Sequence, residues 1–295
     1  MTHYRARRAT TETYELAEGP VWDAPRDRVL WVDILAGAVL TGRLGDGAIT
    51  VAWSRTFGEP VGAVLPARDG RLAVVGRDRV LLAGDDDTVE AGPLVVPAGA
   101  RSRTNDAAVD PAGRLLVGTH PLDDGTGPER LVQVDGESVR VLDDDLLLSN
   151  GLCWSPDGGT LYSVDTLATT VWARSYDVAT GATGPRRAHL TSRELVGGMP
   201  DGMCADADGM LWIAFWGAGE VRRFDASGAV VDTVSVDAPH TSSVAFAGPD
   251  LRTLVITTAR EGLDEDQLAG APASGALFTV EVAAQGLPQP EYRAP

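Results

Sequence analysis

Cysteine is scarce. The two in this chain of 295 residues, Cys153 and Cys204, are too few for a disulfide framework, and each falls three residues into a recurring apolar phrase, where a reduced core residue is expected. Long apolar runs are missing too, so no stretch reads as a membrane-spanning helix. Basic residues are outnumbered, 25 against 42 acidic, for a formal charge of −17. Such a surface repels phosphate backbones and anionic lipid, which argues against nucleic acid and membrane as partners and reads as solubility. The start, Met1-Thr-His-Tyr-Arg-Ala-Arg-Arg, has charge but no apolar stretch of the secretory kind, so a cytoplasmic location is expected and the Arg5/Arg7/Arg8 cluster reads as a solvated terminus. Neither a Gly-x-Ser-x-Gly elbow nor a His-Glu-x-x-His segment occurs. The glycines around Gly42-Arg-Leu-Gly-Asp-Gly precede no helix and read as turns, not as a phosphate cradle. Amphipathic helical patterns are absent.

What is present is a phrase that recurs six times. Its copies are Glu18-Gly-Pro-Val-Trp-Asp, Val61-Gly-Ala-Val-Leu-Pro, Asn105-Asp-Ala-Ala-Val-Asp, Asn150-Gly-Leu-Cys-Trp-Ser, Asp201-Gly-Met-Cys-Ala-Asp and Ser242-Ser-Val-Ala-Phe-Ala. Successive copies begin 43, 44, 45, 51 and 41 residues apart. After most of them come a turn and a second apolar run, such as Arg28-Val-Leu-Trp-Val-Asp or Gly209-Met-Leu-Trp-Ile-Ala. A period of about 40–50 residues built from short strands marks propeller blades. The expected fold is therefore all-β: a single six-bladed β-propeller over 1–295, with four-stranded antiparallel blades around a central channel. The last copy is one strand short. The orphan segment Arg8-Ala-Thr-Thr-Glu-Thr-Tyr-Glu-Leu is expected to complete it and join the ends of the chain.

Equivalent positions of every blade meet at the axis of such a ring. The phrase places Glu18, Val61, Asn105, Asn150, Asp201 and Ser242 at corresponding points of the six inner strands. Two carboxylates and two carboxamides then face one narrow space. Unpaired carboxylates there would cost several kcal/mol or take up a proton, and a divalent cation removes the conflict. The all-oxygen donor set suits a hard ion better than a structural zinc site. Asn105 either joins that set or hydrogen-bonds a polar ligand above it, while Ser242 and Val61 read as channel lining. His240 near Ser242 and Ser243 is not read as a nucleophile–base pair, since closeness in sequence says little about geometry.

The same segments resemble the gluconolactonase/regucalcin (senescence marker protein) family. The likeness rests on Glu18-Gly-Pro-Val-Trp, Arg103-Thr-Asn-Asp-Ala-Ala-Val-Asp-Pro-Ala-Gly-Arg, Ser149-Asn-Gly-Leu-Cys-Trp-Ser-Pro-Asp-Gly, Met199-Pro-Asp-Gly-Met-Cys and Thr241-Ser-Ser-Val-Ala-Phe, in order and over nearly the whole chain. The resemblance implies one divalent metal, calcium first and magnesium, manganese or zinc after it, held by Glu18, Asn150 and Asp201. It implies substrate contacts from Arg103 and Asn105, and Asp201 as general base. The implied activity is hydrolysis of a sugar lactone, a gluconolactone-like aldonolactone, to the aldonic acid by a monomer or weak homo-oligomer. The competing readings are a metal-dependent hydrolase of other esters or organophosphates, and a non-catalytic calcium-binding regulator. One departure stands out. Where the family has Gly-Thr-Met, sometimes followed closely by a substrate-touching Glu, this chain reads Gly118-Thr-His-Pro-Leu-Asp-Asp, so His120 either replaces that contact or sits at the channel mouth.

Overall fold

The computed structural model describes residues 1–86, 88–122 and 128–295; Asp123 and Asp124 of the run after His120 lie outside these. Six antiparallel sheets stand in a ring, giving a six-bladed β-propeller. The innermost strands are Ala17–Asp23, Ala63–Pro66, Ser102–Val109, Ser149–Trp154, Met199–Ala205 and Thr241–Ala247, for blades 1 to 6. Each touches the next, and that of blade 6 returns to that of blade 1. A short helix, Glu265–Gly270, begins at a capping box between Asp264 and Gln267. Among the described residues no helix is long and apolar enough to cross a membrane.

Apolar side chains alternate along the strands, so each sheet offers an apolar face to both neighbours. Six buried clusters result, each drawn mainly from two adjacent blades. Leu65 and Val75 of blade 2 pack with Val117 and Val134 of blade 3, and Trp212 and Val234 of blade 5 with Phe246 and Ile256 of blade 6. The buried aspartates that end three of the inner phrases fasten the following turn. Asp110 accepts from the backbone N–H groups of Ala112 (2.9 Å) and Arg114 (2.7 Å) and from Arg114 Nη1 (2.7 Å). Asp206 accepts from the N–H groups of Asp208 and Met210 and pairs with Arg223 on the third strand of blade 5, and Asp23 pairs with Arg26 and Arg28.

Both ends of the chain bind the ring together. Arg7–Arg8 pairs antiparallel with Phe278–Glu281 and forms the outer strand of blade 6, so the closing strand begins one residue earlier, and is much shorter, than the orphan segment read from the sequence. Thr2–Arg5 adds a fifth, parallel strand to the outer edge of blade 5. The arginines of this terminus have exposed side chains on an ordered backbone: Arg5 forms an ion pair with Asp237. At the other end, Leu287–Pro290 lines the cavity at one mouth of the channel, and Tyr292, fully buried, bridges to Ala67 in blade 2.

Candidate functional site

At the repeat position the inner strands break register. Shifts fall between Glu18 and Val21, Thr104 and Ala107, Asn150 and Leu152, Pro200 and Met203, and Thr241 and Ser243. An extra residue at this point bends a strand and re-aims its side chain. The glycine that follows most of these positions permits the crowding that results. A Cβ on Gly151 would lie 2.5 Å from the Asp201 carbonyl oxygen, and one on Gly62 would lie 2.1 Å from that of Asn105, each on the next blade. At Gly62, Gly151 and Gly202 neighbouring inner strands thus nearly touch.

Glu18, Arg103, Asn105, His120, Asn150 and Asp201 all line one cavity of about 320 Å³ at the end of the channel where the inner strands begin. Val61 and Ser242 do not. Val61 is fully buried in an apolar cluster with Leu16 and Ile34. Ser242 Oγ donates to the Ala17 carbonyl (2.6 Å) and lies 2.9 Å from Thr257 Oγ1, tying blade 6 to blade 1. His240 is 2.9 Å from the Glu261 carbonyl through Nδ1 and stacks on Trp216 with centroids 4.2 Å apart, so it is not paired with either serine.

A chain of hydrogen bonds sets the polar groups. Arg103 Nη1 donates to the Thr104 carbonyl (2.9 Å) and to Asn105 Oδ1 (2.8 Å). Asn105 Nδ2 donates to Asn150 Oδ1 (2.8 Å) and to the Ser149 carbonyl (3.0 Å). Asn150 Nδ2 donates to Thr166 Oγ1 (3.0 Å), whose hydroxyl donates to the Pro200 carbonyl (2.8 Å). The Asn150 amide is thereby oriented from both ends, by Thr166 at its nitrogen and Asn105 at its oxygen, while that oxygen keeps a second lone pair.

The carboxylates are less well served. Asp201 Oδ1 is buried with no hydrogen-bond partner. Burial first, then the charges of Glu18 and Asp106, holds the Asp201 carboxyl well above its ordinary range. Burial and Asp106 push Glu18 up to about 8, and burial pushes Asp106 itself to about 6. An orphaned carboxylate oxygen beside a second crowded carboxylate and an oriented amide oxygen fits a hard divalent cation, which offsets the repulsion. Among the described residues no three acidic, histidine or cysteine side chains form a metal-holding group by themselves, so the Asn150 amide oxygen is needed to complete the donor set.

Arg103 is buried, and among the described residues no carboxylate pairs with it directly. Burial lowers its basicity, against the more distant charges of Glu261, Glu18 and Glu129. His120, its cross-strand partner, is driven down to about 4 by burial and by that guanidinium. The ring is therefore neutral near pH 7, with Nδ1 held 2.5 Å from the Pro121 carbonyl.

Four further residues belong here. Asp106, already inside the Arg103-Thr-Asn-Asp run, lines a second cavity of about 480 Å³ with Cys153 and Cys204, and its charge reaches Glu18 and Asp201. Both cysteines are free, and burial pushes their thiols up, as suits unreactive core residues. Thr166 follows the second strand of blade 4 and orients Asn150. Trp216 and Glu261 complete the wall, and neither lies in a recurring phrase.

The model of the SMP-30/gluconolactonase/LRE-like region matches residues 16–260. A pentonolactonase of Haloferax volcanii is 36% identical over 97% of each chain, and a 6-deoxy-6-sulfogluconolactonase of Pseudomonas putida is 33% identical over 94% of each. The crystal structure of a calcium-binding regucalcin from Agrobacterium tumefaciens superposes with a TM-score of 0.92 over 99% of each chain, at 28% identity. With a ring of six blades, one polar cavity at its centre and matches that run from end to end, this chain belongs to the SMP-30/gluconolactonase/LRE-like family.

Proposed function

We propose that this chain is a divalent-metal-dependent lactonase that opens a sugar lactone of the gluconolactone type to its aldonic acid. The observation that carries the reading is the unpartnered, buried Asp201 Oδ1 in a cavity shared with Glu18, Asn150 and Arg103. The relatives named pentonolactonase and 6-deoxy-6-sulfogluconolactonase support the reaction class.

Glu18, Asn150 and Asp201 would hold the ion, with calcium first by donor type and magnesium, manganese or zinc as alternatives. When bound, it supplies a Lewis acid for the lactone carbonyl and a more acidic water. Arg103 and the Asn105 amide orient the substrate's oxygens, Asn105 being held in place by Arg103 and Asn150 at once. Asp201 takes a proton from water as the hydroxide oxygen bonds to the carbonyl carbon. Arg103 steadies the negative charge that develops on the carbonyl oxygen. The ring C–O bond then breaks, and the proton passes from Asp201 to the departing ring oxygen. Water and lactone are thus accounted for in one hydroxy acid.

Acid release from a panel of aldonolactones tests this, after chelation and re-addition of Ca²⁺, Mg²⁺, Mn²⁺ or Zn²⁺. Activity that vanishes on chelation, returns with one of these ions and is lost in Asp201→Asn is the expected result. Full activity in Asp201→Asn with sugar lactones would remove its role as base.

A further inference from the structure

Blades 3 and 6 stand opposite each other in a six-membered ring. Arg103 enters the cavity from blade 3, and Glu261 enters from the loop that follows the second strand of blade 6. That loop is fastened on both sides. The backbone N–H groups of Arg260 and Glu261 donate to the Glu15 carbonyl (2.9 and 3.0 Å), on the lead into blade 1. The Glu261 carbonyl lies 2.9 Å from His240 Nδ1, and His240 in turn stacks on Trp216. Gly262, at φ +77°, turns the chain away immediately afterwards. The side chain is thus delivered to a fixed point on the wall, half-buried, in the cavity that Trp216 also lines.

Its carboxylate has no hydrogen-bond donor or ion-pair partner among the described residues. A carboxylate placed rigidly in a cavity without a protein donor is an acceptor for ligand hydroxyls, because O–H···O⁻ bonds are short and strong. An aromatic ring in the same cavity suits the apolar C–H face of a sugar. Meanwhile His120, which lines the same cavity, presents a neutral ring and brings no charge.

We infer that Glu261, with Trp216 on the same cavity wall, is the hydroxyl-recognising subsite of this enzyme: the carboxylate contact sits on blade 6, across the cavity from Arg103. The inference rests on the lactonase reading and sets its substrate class as polyhydroxylated lactones. Glu261 is a specificity-determining residue; the ring-opening chemistry does not pass through it.

The test compares kcat/KM for D-glucono-1,5-lactone and for hydroxyl-free δ-valerolactone in the metal-loaded wild type, Glu261→Gln and Glu261→Ala. Loss of a charged acceptor should lower the glucono-lactone value in Glu261→Ala about ten- to hundredfold, mainly through KM, with Glu261→Gln between. The δ-valerolactone value should stay unchanged. An equal fall on both substrates, or no fall on either, overturns the inference while leaving the lactonase reading intact. Should the wild type open neither lactone, that reading fails, and calorimetric binding of glucono-1,5-lactam to the Ca²⁺-loaded protein decides the subsite. Tenfold weaker binding in Glu261→Ala upholds it. Equal binding, or no binding to the wild type, ends it.

Discussion

Asn105 and Asn150 are the only two asparagines in the chain, and they are hydrogen-bonded to each other at the centre of the ring, Nδ2 to Oδ1 at 2.8 Å. Two adjacent blades thus join their polar groups through one amide–amide contact, with Arg103 on one side and Thr166 on the other.

Asn105→Asp replaces the donor in that contact by an acceptor facing an acceptor. It also leaves the Ser149 carbonyl without its side-chain donor. A lost buried hydrogen bond with an unsatisfied partner costs about 1–3 kcal/mol, so kcat/KM on a sugar lactone should fall about ten- to hundredfold. Thermal stability should change less than activity, and calorimetry beside steady-state kinetics separates the two.

Removing metal should make stability depend on pH in a set direction. Glu18 is raised from 4.5 to about 8 in the fold, and Asp201 is raised as well. The folded chain therefore binds protons that the unfolded chain has released, so the stabilisation from Glu18 is complete below about 4.5 and is lost as pH rises through about 8. In chelator, the melting temperature should fall with rising pH across this window. Saturating Ca²⁺ should flatten the slope, and its binding should release protons. A chelated protein whose melting temperature rises from pH 5 to 8 would contradict this.

Gly151→Ala brings a methyl to 2.5 Å from the Asp201 carbonyl oxygen. Neither backbone can yield without moving a site residue, so a destabilisation of about 1–3 kcal/mol is expected together with weaker metal binding. Urea denaturation and a metal titration check both. Gly136→Ala, at a half-buried turn position whose Cβ would meet nothing within 4 Å but whose φ is +58°, is a control that should affect stability alone.

Asp110→Ala should act on the scaffold without touching the cavity. It strips the buried Arg114 of its 2.7 Å partner and the Tyr176 hydroxyl of an acceptor 2.5 Å away. Leaving a buried guanidinium short of its counter-charge costs about 3–5 kcal/mol. The melting temperature should drop sharply, with kcat at low temperature preserved in whatever fraction remains folded.

The ring could be read from the sequence because blade formation repeats one local pattern, and the pattern carries its own site. Glu18, Asn150 and Asp201 share a phrase position, and Gly151 and Gly202 behind the last two mark where inner strands crowd. Val61 shows the limit: the same phrase in blade 2 holds an apolar side chain, which turns into the core. Glu261 was illegible because it sits outside the recurring phrase, in the loop between the second and third strands of blade 6, and only the tertiary contacts to Glu15 and His240 bring it to the cavity. The parallel strand Thr2–Arg5 left no trace either, since its side chains are almost all exposed and show no alternation. The crossing of the C-terminal tail is likewise unperiodic, built on Leu287-Pro-Gln-Pro.

The pairing of Arg7–Arg8 with Phe278–Glu281 also orders events on the ribosome. Arg7 and Arg8 wait for Phe278–Glu281 before they find a partner, and meanwhile that segment of the nascent chain stays uncovered. At roughly 5–20 residues per second that interval is tens of seconds, long enough for a chaperone to matter.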